Sequence, residues 1–223
     1  MPPGAGGGAA DGPRAPDRPP EGDRPPEADE PPEADGQPAP DGPPEVGLFH
    51  RVFDRFYPAI RFTYERGMGH AWFSQVSPQL WLGGAPTYGR DFDEILAMGI
   101  TAIVDMRAER EAEAAFFAEH DIALRQYFVP DVTVPDEEIL TDAVEAITTW
   151  VGEGRTVLIH CAKGRGRSAT VLAAYLMKTE GMSFEQVSEF LTGKRALVKL
   201  QDRHREVLES WIATQGHGPA GGR

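Results

Sequence analysis

The sequence predicts an α/β fold with a central, mainly parallel sheet flanked by helices. Short runs rich in apolar residues, at 100–106, 122–129 and 156–159, have the length and composition of strands. Stretches with helical periodicity lie between these runs. Strands that alternate with helices in this way build parallel sheets, because each helix carries the chain back to the start of the next strand.

The first 45 residues are expected to lie outside this fold as a disordered tail. They contain 14 of the 20 prolines, but no aromatic and no β-branched residue. They also carry 11 acidic and 3 basic side chains, which supply −8 of the formal net charge of −13. Such a segment buries too little apolar surface to offset the entropy lost on ordering. Residues 215–223 are expected to form a second, shorter disordered tail.

Composition limits the class of protein. The single cysteine, Cys161, excludes a disulfide within the chain and is typical of a reducing cytosol, so we expect a cytoplasmic protein. We find neither a signal-peptide pattern nor an apolar run long enough to span a bilayer. The acidic balance argues against nucleic acid as a partner. The six histidines are dispersed and form no metal-ligand pattern, so neither a metal nor another cofactor is expected.

Residues 46–72 form an aromatic, basic arm ahead of the folded domain. Large apolar residues recur at roughly helical spacing from Leu48 to Tyr64, with basic residues between them. Pro58 would interrupt a helix there. Two interpretations stay open for this arm. It is either a helical arm packed on the domain or, over residues 47–66, an amphipathic segment that lies on an anionic membrane surface.

The first half of the domain is predicted to begin with a strand at 79–83, where leucines alternate with other residues. Thr87 is a candidate N-cap for a helix over 91–98, and a charged, Ala-rich helix is expected over 109–119. Arg107 follows the 100–106 run, at the end of a strand where α/β sheets place their ligands. This arginine either lines a site or belongs to a buried ion-pair network.

The second half of the domain is predicted to be mainly helical. An apolar face indicates a helix over 136–150, and an apolar run indicates a buried helix over 169–177. Ser183 opens a capping box for a helix that reaches about residue 191, and the last helix is expected over 201–212. Basic residues between the last two helices either rim a site or form a solvated face: Lys194, Arg195, Lys199 and Arg203.

A glycine-rich loop joins the 156–159 strand to the 169–177 helix, an arrangement typical of an anion site. Cys161 opens this loop and Arg167 lies six positions later. Loop N–H groups and the guanidinium should lower the pKa of the thiol, which makes it a nucleophile at neutral pH. The guanidinium can also hold two phosphate oxygens at once. The other candidate phosphate-binding residues of the loop are Ala162, Lys163, Gly164, Arg165, Gly166 and Ser168.

The run from His160-Cys161 to Arg167-Ser168 resembles the HCxxGxxR(S/T) signature of the cysteine-dependent protein-tyrosine phosphatase superfamily. It is most similar to the dual-specificity branch and, within it, to the mitochondrial-type (PTPMT) group, whose substrates include phosphatidylglycerophosphate. The run from Leu80 to Pro86 resembles the opening strand of that family. The resemblance implies the dual-specificity phosphatase version of the fold over residues 73–214. It also implies metal-independent hydrolysis of phosphomonoesters through a cysteinyl-phosphate intermediate.

This chemistry needs a carboxylic acid that protonates the leaving oxygen and then activates water. Members of the family carry that aspartate on a loop roughly 30 residues before the cysteine, as the resemblance implies. Asp131 lies 30 residues before Cys161 and is the preferred candidate. Asp136 lies 25 residues before it, and it could instead cap the helix that follows.

The choice of substrate stays open at the level of sequence. Lys163 and Arg165 add positive charge to the loop, which suits a substrate with more than one anionic group, such as a phosphoinositide or phosphatidylglycerophosphate. A phosphoprotein phosphatase that acts on Tyr, Ser and Thr is the alternative within the class. From another class, the loop could belong to a catalytically silent module that only binds phosphate. The sequence does not indicate an oligomeric state.

Overall fold

The computed structural model describes residues 61–67 and 69–215. The tail at 1–45, most of the apolar stripe between Leu48 and Tyr64, and the end of the C-terminal tail lie outside these residues. The disorder expected for both tails and the membrane contact considered for 47–66 therefore stay predictions. Among the described residues, no helix is both long and apolar enough to cross a membrane.

A five-stranded sheet forms the centre of the domain, in the order β1-β2-β5-β3-β4. Its strands are β1 (Phe73–Gln75), β2 (Leu80–Gly84), β3 (Ala102–Asp105), β4 (Ala123–Gln126) and β5 (Val157–Cys161). The short β1 pairs antiparallel with β2, whereas the other neighbours pair in parallel. The predicted α/β fold with a mainly parallel sheet is therefore confirmed.

Six α-helices flank the sheet within the described residues. They are α1 (Gly89–Ala97), α2 (Ala114–Glu119), α3 (Glu137–Gly152), α4 (Arg167–Glu180), α5 (Phe184–Lys194) and α6 (Asp202–Gln215). A short π-helical turn, Thr63–Gly67, precedes the sheet.

The middle strands alternate between two hydrophobic clusters, because successive side chains of a strand point to opposite faces. Val157 and Ile159 of β5 join the cluster that contains the buried faces of α3 to α6. Leu158 joins the cluster on the other face, together with Ile103 of β3 and Phe117 of α2. Burial on both faces explains why these strands are continuous apolar runs in the sequence.

Several predicted elements are shorter in the structure, among them the 100–106 strand, which is confined to β3. The helix expected over 109–119 begins only at Ala114, because the side chain of Gln126 engages the backbone before it. Its Nε2 donates to the carbonyl oxygens of Arg107 and Arg110, and its Oε1 accepts from the N–H of Ala112. The strand expected over 122–129 is confined to β4.

Helix ends shift by a few residues elsewhere. Helix α1 is capped at Tyr88 rather than Thr87, and the Asp91 carboxylate accepts hydrogen bonds from both backbone N–H groups. Helix α4 begins at Arg167, two positions before the predicted start. The capping box at Ser183 is present, since Ser183 and Gln186 exchange hydrogen bonds at the start of α5.

The described part of the arm packs on the domain. The guanidinium of Arg61 is buried and forms hydrogen bonds of 2.7 and 2.5 Å with both carboxylate oxygens of Asp91. Trp72 packs against Gly84 so closely that a Cβ on that glycine would lie 2.0 Å from the indole ring. The indole N–H donates to the carbonyl of Ala85 at 2.9 Å. The arm therefore supports the end of β2, next to the start of the glycine-rich loop.

Candidate active site

The glycine-rich loop forms the floor of a cavity of about 260 Å³. Strand β5 ends at Cys161 and helix α4 begins at Arg167, so the loop presents backbone N–H groups at a helix N-terminus. The walls come from the 130–136 loop and from residues 199–204, between α5 and α6. Three segments that are distant in sequence thus meet above the cysteine.

The thiol of Cys161 lies at the bottom of this cavity and is 3% exposed. Burial alone would raise its pKa, but the positive charge of Arg167, the hydroxyl of Ser168 and backbone N–H groups together hold the pKa below its ordinary value. The Ser168 hydroxyl donates to Sγ at 3.3 Å. These groups favour the thiolate form over the neutral thiol, in the direction that the sequence predicts.

The loop has its shape because Gly164 allows a close approach to β2. Gly164 has φ of +64°, and a Cβ there would lie 2.4 Å from the carbonyl oxygen of Gly83. A side chain at this position would strain the backbone and collide with the neighbouring strand. The glycine in the middle of the signature is thus a steric requirement of the loop.

Arg195 supports the loop on the side away from the cavity. It is therefore neither a rim residue nor part of a solvated face, which were the two expectations from the sequence. Its guanidinium is 1% exposed and donates to the carbonyl oxygens of Lys163 and Gly164, at 2.9 and 3.2 Å. A further bond of 2.9 Å reaches the carbonyl of Trp72 in the arm. Because peptide units are planar and trans, carbonyls that point towards Arg195 turn the following N–H groups the other way, towards the cavity. Lys194 lies over the ring of Phe190 and is absent from the cavity lining.

Arg167 is buried beside the cysteine in a network of acceptors. Its Nη1 and Nη2 bind the two carboxylate oxygens of Glu109 at 2.7 and 2.8 Å, and Nη1 also donates to the carbonyl of Val129. Burial would lower the pKa of Arg167, but the carboxylate of Glu109 and the Cys161 thiolate raise it. Within the described residues, Nε of Arg167 makes no hydrogen bond. It is therefore available for a ligand oxygen.

The structure brings only one of the two candidate acids to the cavity. Asp131 lines it, with a carboxylate oxygen 3.1 Å from Nη2 of Arg167. Asp136 instead caps α3, where its side chain accepts from the N–H of Ile139 at 2.9 Å. The arrangement favours Asp131 as the acid. Asp136 instead caps a helix, which is the alternative that the sequence suggested for it.

Glu109 is a site residue that sequence reasoning missed. It follows β3 at the carboxyl end of the sheet, two positions after Arg107, which the sequence marked as a possible site residue. Arg107 forms a buried ion pair with Asp105 at 2.6 Å and does not line the cavity, so the ion-pair interpretation is the correct one. The signal for Glu109 was the position of this segment at a strand end; the choice among its charged residues required the structure.

The rim of the cavity is basic. Lys163 and Arg165 of the loop face Lys199 and Arg203 of the 199–204 segment, and Asp131 is the acidic residue of the lining. A backbone hydrogen bond of 3.0 Å from Lys199 to Arg165 joins the two segments. Partial burial lowers the pKa of Lys163. Lys199 and Arg203 are thus the members of the predicted basic run that reach the site.

Burial also lowers the pKa of His160, to about 4, so this ring is neutral at neutral pH. Its Nδ1 lies 3.7 Å from a carboxylate oxygen of Asp105. The described residues contain no group of three or more His, Cys, Asp or Glu side chains that could hold a metal ion.

Residues 80–213 match the family model described as the dual specificity phosphatase catalytic domain. The chain belongs to the dual-specificity phosphatase family. The match spans β2 to α6 and includes all three segments that form the cavity. The resemblance seen in the Cys161 loop and in the Leu80 to Pro86 run is therefore confirmed at the level of the family.

Relatives within the family include both protein and lipid phosphatases. The chain is 33% identical over 153 residues to dual specificity protein phosphatase 12 of Rattus norvegicus, which covers 67% of the chain and 43% of that protein. It is 25% identical over 167 residues to phosphatidylglycerophosphatase and protein-tyrosine phosphatase 1 of Homo sapiens, which covers 70% of the chain and 83% of that protein. The match thus spans less than half the length of the first relative.

Solved structures agree with the fold. The crystal structure of Tk-PTP in the active form superposes with a TM-score of 0.58 at 27% identity, and covers 64% of the chain and 97% of that structure. The central sheet flanked by helices is therefore the dual-specificity phosphatase architecture.

Proposed function

We propose that this domain hydrolyses phosphate monoesters without a metal, through a phosphorylated Cys161. The thiolate attacks phosphorus, and the bond between phosphorus and the leaving oxygen breaks as Asp131 gives that oxygen a proton. Water then attacks the phosphorus of the cysteinyl phosphate. Asp131 takes up its proton, the P–S bond breaks, and inorganic phosphate and the thiolate are released.

The charge of the phosphoryl group is balanced by protein donors throughout both steps. Nε of Arg167 and the inward N–H groups of the loop hold its non-bridging oxygens. Glu109 fixes the guanidinium from the opposite side, so that the donor is already oriented when substrate arrives. Ser168 donates to the sulfur and stabilises the thiolate as it leaves in the second step.

One observation supports this proposal above the others, namely that the guanidinium of Arg167, the Ser168 hydroxyl and backbone N–H groups converge on the buried sulfur of Cys161. A cysteine placed in this loop only for packing would have a raised pKa, because burial disfavours the thiolate. The pKa of Cys161 is lowered in spite of burial, by groups that converge on the sulfur. A silent phosphate-binding module would not require this arrangement.

The first test is release of inorganic phosphate from an aryl phosphate in the presence of a chelator. The wild-type chain should turn over, and Cys161→Ser should lose more than about 10⁴-fold of the rate. Substrate carrying radioactive phosphorus should leave a covalent label on Asp131→Asn, in which breakdown of the intermediate is slowed, and none on Cys161→Ser. Turnover by Cys161→Ser, or a label on another residue, would contradict the covalent step.

For the substrate, we propose a phospholipid whose headgroup carries a second anionic group, such as phosphatidylglycerophosphate or a phosphoinositide. The basic rim formed by Lys163, Arg165, Lys199 and Arg203 supports this choice, since a single phosphomonoester already finds its donors on the cavity floor. The human relative named as a phosphatidylglycerophosphatase adds support. A phosphoprotein is the second candidate, favoured by the 33% identity to a relative named as a protein phosphatase.

A substrate panel distinguishes these candidates. Phosphate release is measured from phosphatidylglycerophosphate, several phosphoinositides, a phosphotyrosine peptide and a phosphoserine peptide. Preference for a lipid supports the argument from the rim and justifies a test of membrane binding by residues 47–66. Preference for the peptides leaves the mechanism intact and overturns the lipid substrate. If inorganic phosphate binds but none of these substrates is hydrolysed, the hypothesis of a catalytically silent phosphate-binding module is correct.

A further inference from the structure

His204 is a buried histidine at the cavity that the proposed mechanism does not use. It lies in the first turn of α6, is 1% exposed, and contributes to the cavity lining. Its Nδ1 lies 2.9 Å from the backbone nitrogen of Gln201 and accepts a hydrogen bond from that N–H group. A neutral imidazole with an accepting Nδ1 carries its proton on Nε2. The donor of this ring is therefore Nε2.

The Nε2 atom lies beside the phosphate-binding loop. A Cβ built on Gly166, the residue before Arg167, would lie 3.5 Å from Nε2. Among the hydrogen bonds of the described residues, the imidazole ring of His204 takes part only in the one at Nδ1, and Nε2 takes part in none. The backbone N–H of His204 donates separately to the carbonyl oxygen of Gln201. Nε2 is not among the buried polar atoms of the described residues that lack a partner, so it is open to the cavity, where an oxygen of a bound ligand can accept a hydrogen bond from it.

The charge of the ring fits a hydrogen-bond donor rather than a proton donor. Burial and the adjacent Arg203 lower the pKa of His204 below its ordinary value, so the ring is neutral at neutral pH. The neutral ring keeps Nδ1 free to accept from Gln201 while Nε2 donates. The structural bond and the bond to a ligand can then exist together.

We infer that Nε2–H of His204 donates a hydrogen bond to an oxygen bound to phosphorus, which makes His204 a further catalytic residue. This inference rests on the proposed function, because it takes a phosphoryl group at the loop as the ligand. A phosphoryl group bound next to Gly166 can accept a hydrogen bond only through its oxygens. Donors aimed at a phosphoryl group gain strength in a site that excludes water.

Two substitutions separate the donor from the structural bond. In His204→Asn, the side-chain oxygen can replace Nδ1 as acceptor for the N–H of Gln201, but nothing replaces Nε2. In His204→Gln, the longer amide can place an N–H near the position of Nε2. We expect kcat/KM for an aryl phosphate to fall about 10- to 100-fold in His204→Asn, and His204→Gln to be about tenfold more active than His204→Asn.

The inference is overturned if His204→Asn is as active as the wild type, or if both variants are equally impaired while their Tm values match that of the wild type. Failure of the proposed function looks different, because the wild type would then release no phosphate at all. If His204→Asn does not fold, nuclear magnetic resonance on the ¹⁵N-labelled wild-type chain decides. Orthovanadate, a phosphate-like ion, should shift the Nε2–H signal of His204, and saturation of the site without a shift would refute the contact.

Discussion

The floor and the rim of the cavity are built differently. On the floor, Cys161, Arg167 and Ser168 are at most 3% exposed, and each takes part in hydrogen bonds to neighbouring groups. On the rim, Arg165, Lys199 and Arg203 are exposed to solvent. Buried groups of this kind cannot be exchanged without leaving a partner unsatisfied, whereas exposed side chains change at little cost in stability. We therefore expect the floor to fix the chemistry and the rim to determine the choice of substrate.

The loop that carries Asp131, the proposed acid, resembles the rim more than the floor. Next to Asp131, Val132 is 73% exposed and has φ of +60°, a backbone conformation that a β-branched residue rarely adopts. The adjacent Thr133 hydroxyl donates to the carbonyl of Pro130 at 2.7 Å and closes the turn. Strain held in this way is typical of sites where position matters more than stability. The turn directs Asp131 towards Arg167 while its apolar neighbour faces solvent.

The largest effect outside the cysteine is expected at this acid. Asp131→Asn should lower kcat by about 10²–10⁴-fold for alkyl phosphates, whose leaving oxygen needs a proton, and less for an aryl phosphate with a good leaving group. Asp136→Asn is the matched control, because asparagine is an equally good N-cap and α3 should be unaffected. Steady-state rates on both classes of substrate measure the difference. If Asp136→Asn shows the leaving-group effect instead, Asp136 is the acid.

The floor should also be sensitive to the residue that supports it from behind. Arg195→Met removes the donors to the Lys163 and Gly164 carbonyls, so the N–H groups that face the cavity lose their fixed direction. We expect a fall of about 10- to 100-fold in kcat/KM and a loss of about 2–3 kcal/mol in the free energy of unfolding. Lys194→Met, at an exposed neighbour outside the cavity, is the control. Denaturant unfolding and aryl phosphate turnover are the measurements, and an unchanged rate would mean that the loop keeps its shape without Arg195.

A smaller effect is expected where Glu109 orients Arg167. Glu109→Gln keeps one acceptor oxygen for the guanidinium but removes the negative charge and the second oxygen. We expect kcat/KM to fall about tenfold, mostly through KM, because Arg167 binds the phosphoryl group in the ground state as well. Glu111→Gln, at an exposed position two residues further on, is the control. If the variant has a normal KM for an aryl phosphate, the loop alone orients Arg167.

The residues at the cavity floor differ in whether the sequence alone could predict their position. Cys161, Arg167 and Ser168 belong to one contiguous loop, so their local spacing in the sequence was sufficient to predict that they lie together. Glu109 and Arg195 reach the same loop from far along the chain, after β3 and after α5. Their approach depends on the position of β5 between β2 and β3, a strand order that hydrophobic periodicity does not encode.

Local errors in the predicted elements have the same origin. The Ala-rich stretch from Glu109 has helical propensity, yet its first five residues are not helical because Gln126 of β4 binds their backbone. Tertiary hydrogen bonds override propensity where a strand end meets the site. Likewise, Arg195 belongs to a basic run that suggests a solvated face, but its guanidinium is buried behind the loop and lies 5.2 Å from the ring of Tyr64.

The smallest effects are expected on the rim, and they test whether it selects the substrate. Lys199→Ala and Arg203→Ala should each lower kcat/KM about 3- to 10-fold for phosphatidylglycerophosphate, which has a second anionic group, and less for a simple aryl phosphate. The loss should shrink as salt is added, since exposed charges are screened. Lys194→Ala is the control, because Lys194 belongs to the same basic run but does not line the cavity. If both substrates lose the same factor in kcat/KM, Lys199 and Arg203 contribute to the reaction itself, as the floor residues do. The proposal that the rim selects the substrate would then be wrong.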